Sequence, residues 1–152
     1  MGGYGGALKQ LSIGVASGKG KRYIHCAGKE NGSFDDMFNV DQIKFLEAMA
    51  DAASSITDYF KGNMAYINVM ANISVDCDCC NVAEDPCMKD IGILASLDPV
   101  AIDQACIDLV INSDDPGRDH LLERIHSRKG THTIDAAAEL GMGTKEYELI
   151  EV

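Results

Sequence analysis

The sequence predicts an α/β fold: a single domain over residues 1–152, with a small mixed sheet covered by helices. Three observations predict it. Residues 43–60 carry apolar side chains at helical spacing. Two short apolar runs, "MAYINVMANIS" and "DIGILASLD", read as strands. Three further helical patterns follow the second strand.

The elements follow in chain order. "GALKQLSIGVA" reads as a short helix that Ser12 and Gly14 weaken. "SGKGKR", Ser17 to Arg22, reads as a basic glycine loop. It is not a P-loop, which needs four residues between its first Gly and a Gly-Lys pair, then Ser or Thr. Here Gly14 and Gly18 enclose three, and Gly20 follows Lys19. A nest of backbone amides for an anion and a plain solvated loop are the two readings left. "IHC" reads as a strand end with a surface histidine, or as an extra ligand pair. "AGKENGSFDD" reads as a polar connection.

The clearest helix is "NVDQIKFLEAMADAASSITDYFKGN". Ile43, Leu46, Met49, Ala50, Ala53, Ile56 and Phe60 form its stripe, Asn39 or Asp41 caps it, and Gly62 ends it. "MAYINVMANIS" is a strand, and "DIGILASLD" a buried one. Asp98 then caps a helix with Pro99 at its first position. Ile102, Cys106 and Leu109 line one face of that helix, so Cys106 is a core cysteine. "GRDHLLERIHSRKG" and "TIDAAAELGMG" are helices, the latter stopped by Gly141. "EYELIEV" is a terminal strand.

Composition excludes several functions. Of 152 residues, 46% are apolar, which is a globular proportion. The net charge of −11 argues against nucleic acid and anionic membranes, which both need clustered Lys and Arg. No apolar run approaches the roughly 20 residues of a membrane span. "MGGYGGALKQ" lacks the order of a signal peptide, so the expected location is cytoplasmic. Six cysteines in that setting are thiols or metal ligands before they are disulfides.

Four of the six lie in "SVDCDCCNVAEDPC": Cys77, Cys79, Cys80 and Cys87. Zinc and iron–sulfur centres both use thiolates in this number. Asp76, Asp78, Glu84, Asp85 and Asp90 surround them in sequence, against Lys89 alone. Such acids oppose thiolate formation unless a bound cation compensates them. The four cysteines are therefore candidate metal ligands, with an acidic, metal-free loop as the competing reading. Their spacing matches neither a zinc ribbon nor a ferredoxin run. His120, His126 and His132 show no ligand spacing; His126 reads as solvated and His132 as a helix cap. No Ser-His-Asp or Cys-His arrangement is supported.

"GGALKQLSIGVASGKGKRYIH", "DCDC", "DIGILASLDPVAIDQACIDL" and "AAELGMGTKEYELI" together resemble the iron–sulfur-associated family called domain of unknown function 362. The resemblance spans Gly2 to Ile150 and implies a prokaryotic, redox-type setting. Many members carry an inserted ferredoxin module between the "GK…H" segment and the helix before "DCDC". Here that interval is "CAGKENGSFDDMFN", where only Cys26 could serve. The resemblance also implies that the chain corresponds to the C-terminal half of a usual member. Lys9, Lys19, Lys21 and His25 match "GALK" and "GK…H". Asp76, Cys77, Asp78 and Cys79 match "DCDC". Asp98, Pro99 and Asp103 match "DPVAID". On that basis the "DCDC" pair could take further ligands from elsewhere, such as His25. Asp103 sits on the helix's solvent face or bonds a neighbouring loop or ligand.

Three functional readings follow. The first is a domain holding a metal ion (zinc or iron) or an iron–sulfur cluster. The second is an enzyme domain that binds a small anionic substrate through Lys19, Lys21 and His25, with Asp78 or Asp103 in proton transfer. The third is a structural half-domain that pairs as a homo-oligomer or with a missing N-terminal half.

Overall fold

The computed structural model describes residues 2–77 and 81–152. Within them the chain is α/β, with seven helices around a two-stranded antiparallel ribbon.

Helix α1 (Ala7–Lys9) runs into a π-helical turn, Gln10–Gly14. Ser12 and Gly14 do not abolish this helix; they shape its end. The Ser12 hydroxyl donates to the Leu8 carbonyl at 2.9 Å and is buried there. At Gly14 the Gln10 amide occupies the place a Cβ would need. The "SGKGKR" segment is not a loop. Ser17 caps helix α2 (Gly18–His25) by accepting from the Gly20 amide at 3.2 Å. "IHC" is thus a helix end rather than a strand end. The polar connection after it contains helix α3 (Phe34–Asn39), opened by a Ser33–Asp36 capping box.

Helix α4 (Gln42–Phe60) is the long central helix. Asp41, not Asn39, caps it, accepting from the Lys44 amide at 3.0 Å. Lys61 and Gly62 end it in the left-handed region. Strands β1 (Tyr66–Met70) and β2 (Gly92–Ser96) pair antiparallel, Tyr66 opposite Ser96 and Met70 opposite Gly92. Tyr66 and Met70 are buried on the inner face, against helix α5 (Pro99–Ile111). The outer face carries Ile67, Val69 and Ile93 in the open, so β2 is not the buried strand its sequence suggests. Helices α6 (Arg118–Ser127) and α7 (His132–Glu139) complete the covering layer. Gly141, at φ 75°, closes α7 with a Schellman-type pair of bonds to Ala138 and Ala137. His132 does not cap α7, whose N-cap is Thr131; its Nε2 lies 3.4 Å from Glu47 Oε1.

"EYELIEV" forms no strand: a strand needs a partner, and no backbone bond among the described residues involves residues 147–152. The main core joins α1, α4, α5, α6 and α7 to the inner face of the ribbon. A second cluster, Ile24, Phe45, Leu46 and Met49, seats α2 on α4. Helix α5 is the hub: Val100, Ile102, Ala105, Ile107 and Val110 are buried on several sides of it. No helix among the described residues is long and apolar enough to cross a membrane.

Candidate functional site

The cysteines lie in the connection from β1 to β2, residues 71–91. Its stem continues the ribbon. The Ile91 amide donates to the Met70 carbonyl at 2.8 Å, and the Cys87 amide to the Ile73 carbonyl at 2.7 Å. Further out the two arms stay tied. The Ser74 hydroxyl donates to the Glu84 carbonyl at 2.8 Å, and the Glu84 amide to Asp76 Oδ2 at 3.2 Å.

Helix α6 holds this connection from one side. Arg124 Nη1 donates to Asp76 Oδ1 at 3.0 Å, and His120 Nε2 meets Glu84 Oε2 at 2.8 Å. Gly117, just before α6, lies against the Cys87 carbonyl where any Cβ would collide. Asp115 accepts from the Lys89 and Gly117 amides, and these bonds hold its carboxyl below the usual range.

Helix α1 holds it from another side. Lys9 Nζ donates to Cys77 Sγ at 3.1 Å. An ammonium donor favours a thiolate over a thiol. The local sequence, with Lys89 alone among acids, hid this: the compensating cations Lys9 and Arg124 come from distant elements.

Asp103 anchors the start of the helix that carries Lys9. Asp103 is not on a solvent face; it is fully buried. Its carboxylate accepts from the Ala7 amide at 2.7 Å, the Leu8 amide at 3.0 Å, the Tyr4 hydroxyl at 3.1 Å and the Asn68 amide group at 2.8 Å. Two of these donors open helix α1, whose positive end faces the carboxylate. Gly6 permits the approach, since a Cβ there would stand 2.5 Å from Asp103 Oδ1. Burial pushes the Asp103 carboxyl up, against the pull of its donors, and burial beside Asp103 pushes the Tyr4 phenol well above its usual value. Asp98 does cap α5, accepting from the Val100 and Ala101 amides, and its other oxygen takes the Thr144 amide at 2.9 Å.

The predicted ligands fare as follows. Cys77 is half-buried beside Lys9. Cys87 turns its Sγ to the Ile73 carbonyl at 3.4 Å, and burial pushes its thiol up. Cys79 and Cys80 lie outside the described residues, as does Asp78. Among the described residues no three or more His, Cys, Asp or Glu side chains converge as metal ligands. The donor chemistry present, two soft thiols on one connection and an ammonium on one of them, fits a thiolate-bound centre. It does not complete one by itself.

The predicted anion-binding residues all lie on helix α2. Lys21 and His25 are one turn apart on α2, with His25 Nδ1 2.7 Å from the Lys21 carbonyl and its ring stacked on Phe45. Lys19 sits roughly 160° around the helix from Lys21. Cys106 is half-buried, with Asn68 donating to its Sγ at 3.4 Å. A groove of about 1030 Å³ lies elsewhere, between α2, α4 and α7. Leu11, Tyr23, Ile56, Glu47, Asp51 and Glu139 are in its lining, which contains no thiol or imidazole.

The chain belongs to the family described as Domain of unknown function (DUF362), which matches residues 1–108. The matched range contains the "GALK", "DCDC" and "DPVAID" segments, which this structure brings together through Asp103 and Lys9. The "AAELGMGTKEYELI" segment lies beyond it. No curated protein and no solved structure matches the chain.

Proposed function

We propose that the 71–91 connection is a thiolate site for a zinc or iron ion or an iron–sulfur cluster, and that the chain is a metal- or cluster-associated domain of a redox-type protein. One observation carries this reading. An ammonium is fixed 3.1 Å from the Cys77 sulfur, and its helix is anchored by a buried carboxylate 26 residues further along the chain from Cys77. A solvated acidic loop has no use for that arrangement; an anionic sulfur does.

The ligand set is Cys77, Cys79, Cys80 and Cys87. In it Lys9 donates to a ligand sulfur, the kind of contact that sets the charge and potential of thiolate-bound metals. Arg124 takes up the charge of Asp76, and Gly117 lets the Cys87 backbone approach α6. Burial pushes the Cys87 thiol up, so its participation draws on the cation's own charge to release the proton. When bound, a cluster supplies one-electron transfer, whereas zinc supplies cross-linking or Lewis acidity.

The test is elemental analysis with an optical spectrum on protein purified without oxygen, beside a Cys77→Ser, Cys79→Ser variant. The expected result is metal in the unaltered protein and its loss in the variant. A folded, metal-free protein, or metal retained by the variant, contradicts the reading.

A further inference from the structure

The ribbon is incomplete as a sheet. Its inner face is covered by α5, but its outer face presents Ile67 at 68%, Val69 at 63% and Ile93 at 71% exposure. Val69 stands opposite Ile93, and Ile67 opposite Ala95, so these side chains form one continuous apolar patch. The edges are open too. Among the described residues, 66–69 and 93–96 make no backbone bond outside the ribbon. Neither strand carries a charge or a proline, the usual devices that keep an edge from pairing. A two-stranded ribbon is also below the size at which sheets are stable by themselves.

The same chain carries a strand without a sheet. Residues 146–152, "EYELIEV", have strand-forming composition yet lie exposed, with Leu149 and Ile150 open to solvent. Their own chain anchors the start of this tail. The Thr144 amide is bound by Asp98, and the Tyr147 hydroxyl donates to Asp108 Oδ2 at 2.8 Å. Asp103 marks the side of α5 that meets the ribbon through Asn68. Asp108 lies roughly 140° further around that helix.

We propose that the open ribbon is a pairing surface for a second copy of this chain, whose residues 148–152 add as a strand along its edge. The pairing is made by backbone groups, and the aliphatic side chains that the incoming segment turns to the outer side extend the Ile67–Val69–Ile93 patch. Because the two strands are uncharged, the acids Glu148 and Glu151 meet no like charge on them.

The experiment is sedimentation velocity on the full chain across micromolar concentrations, with two variants checked by circular dichroism. Val69→Lys charges the outer face at an exposed position. Leu149→Pro with Ile150→Pro removes the donors of the added strand. The expected result is a dimer of 16.3 kDa chains that both variants convert to folded monomers. Three results would overturn the proposal: a monomer throughout for the unaltered chain, a dimer that survives Val69→Lys, or one that survives the proline variant.

Discussion

Asp103 shows how one residue ties the molecule's chemistry to its fold. Its carboxylate takes two backbone amides, a phenol and a side-chain amide, all in or beside the core. Truncating it to Ala strands those donors, and the expected loss is about 3–5 kcal/mol of unfolding free energy. Gly6→Ala forces the same carboxylate aside and costs on the order of 1–3 kcal/mol. Because both act through one contact, Gly6→Ala should cost little once Asp103 is already Ala. Denaturant unfolding of the two single variants and the double variant checks this; full additivity would contradict the contact. The neighbouring pair gives a chemical prediction. In a metal-free Cys79→Ser, Cys80→Ser background, Cys77 should alkylate several-fold faster than Cys87 at neutral pH, and Lys9→Ala should remove most of that advantage. Site-resolved mass spectrometry reads both rates; equal rates would contradict the Lys9 contact. Sequence alone made Asp98 legible as a cap, because Asp-Pro at a helix start has a local meaning. It left Asp103 open between a solvent face and a bond to a neighbouring loop, because burial depends on which elements pack around α5.

At the scale of elements, long periodic segments were legible and short glycine-containing ones were not. Helix α4 needed only its stripe, its Asp41 cap and its Gly62 stop. Helix α2 was hidden because two glycines and three basic residues look like a loop; the Ser17 cap and packing of Ile24 on Phe45 and Leu46 override that propensity. The strand β2 was recognisable, but its burial was not, since an apolar run cannot say whether a second layer covers it. The tail had strand composition and no partner. Its attachment to α5 is testable by pH. Burial and the bond to Asp108 push the Tyr147 phenol up to about 12. A raised folded value means that the neutral phenol's contribution is intact below the ordinary tyrosine range and is lost as pH rises through about 12. The phenolate difference spectrum between the unaltered chain and Tyr147→Phe should therefore show a group titrating near 12. A value near the ordinary 10 would mean that the tail is not anchored there.

For the whole molecule, the α/β class and family membership were both readable from sequence, the latter through segments now seen to touch. "GALK" and "DCDC" meet at Lys9 and Cys77, and "DPVAID" holds the first of them through Asp103. What was not readable is the source of positive charge around the cysteines, because Lys9 lies 68 residues from Cys77 and Arg124 lies 48 from Asp76. Charge counted along a segment misses cations that folding brings in. On the reading proposed above, this charge pattern serves a thiolate-bound metal. X-ray absorption at the metal edge, on protein purified without oxygen, tests it most directly. The expected result is a sulfur shell, at about 2.3 Å if the metal is zinc, that diminishes in the Cys77→Ser, Cys79→Ser variant. A shell of oxygen and nitrogen alone, or no bound metal at all, would contradict it.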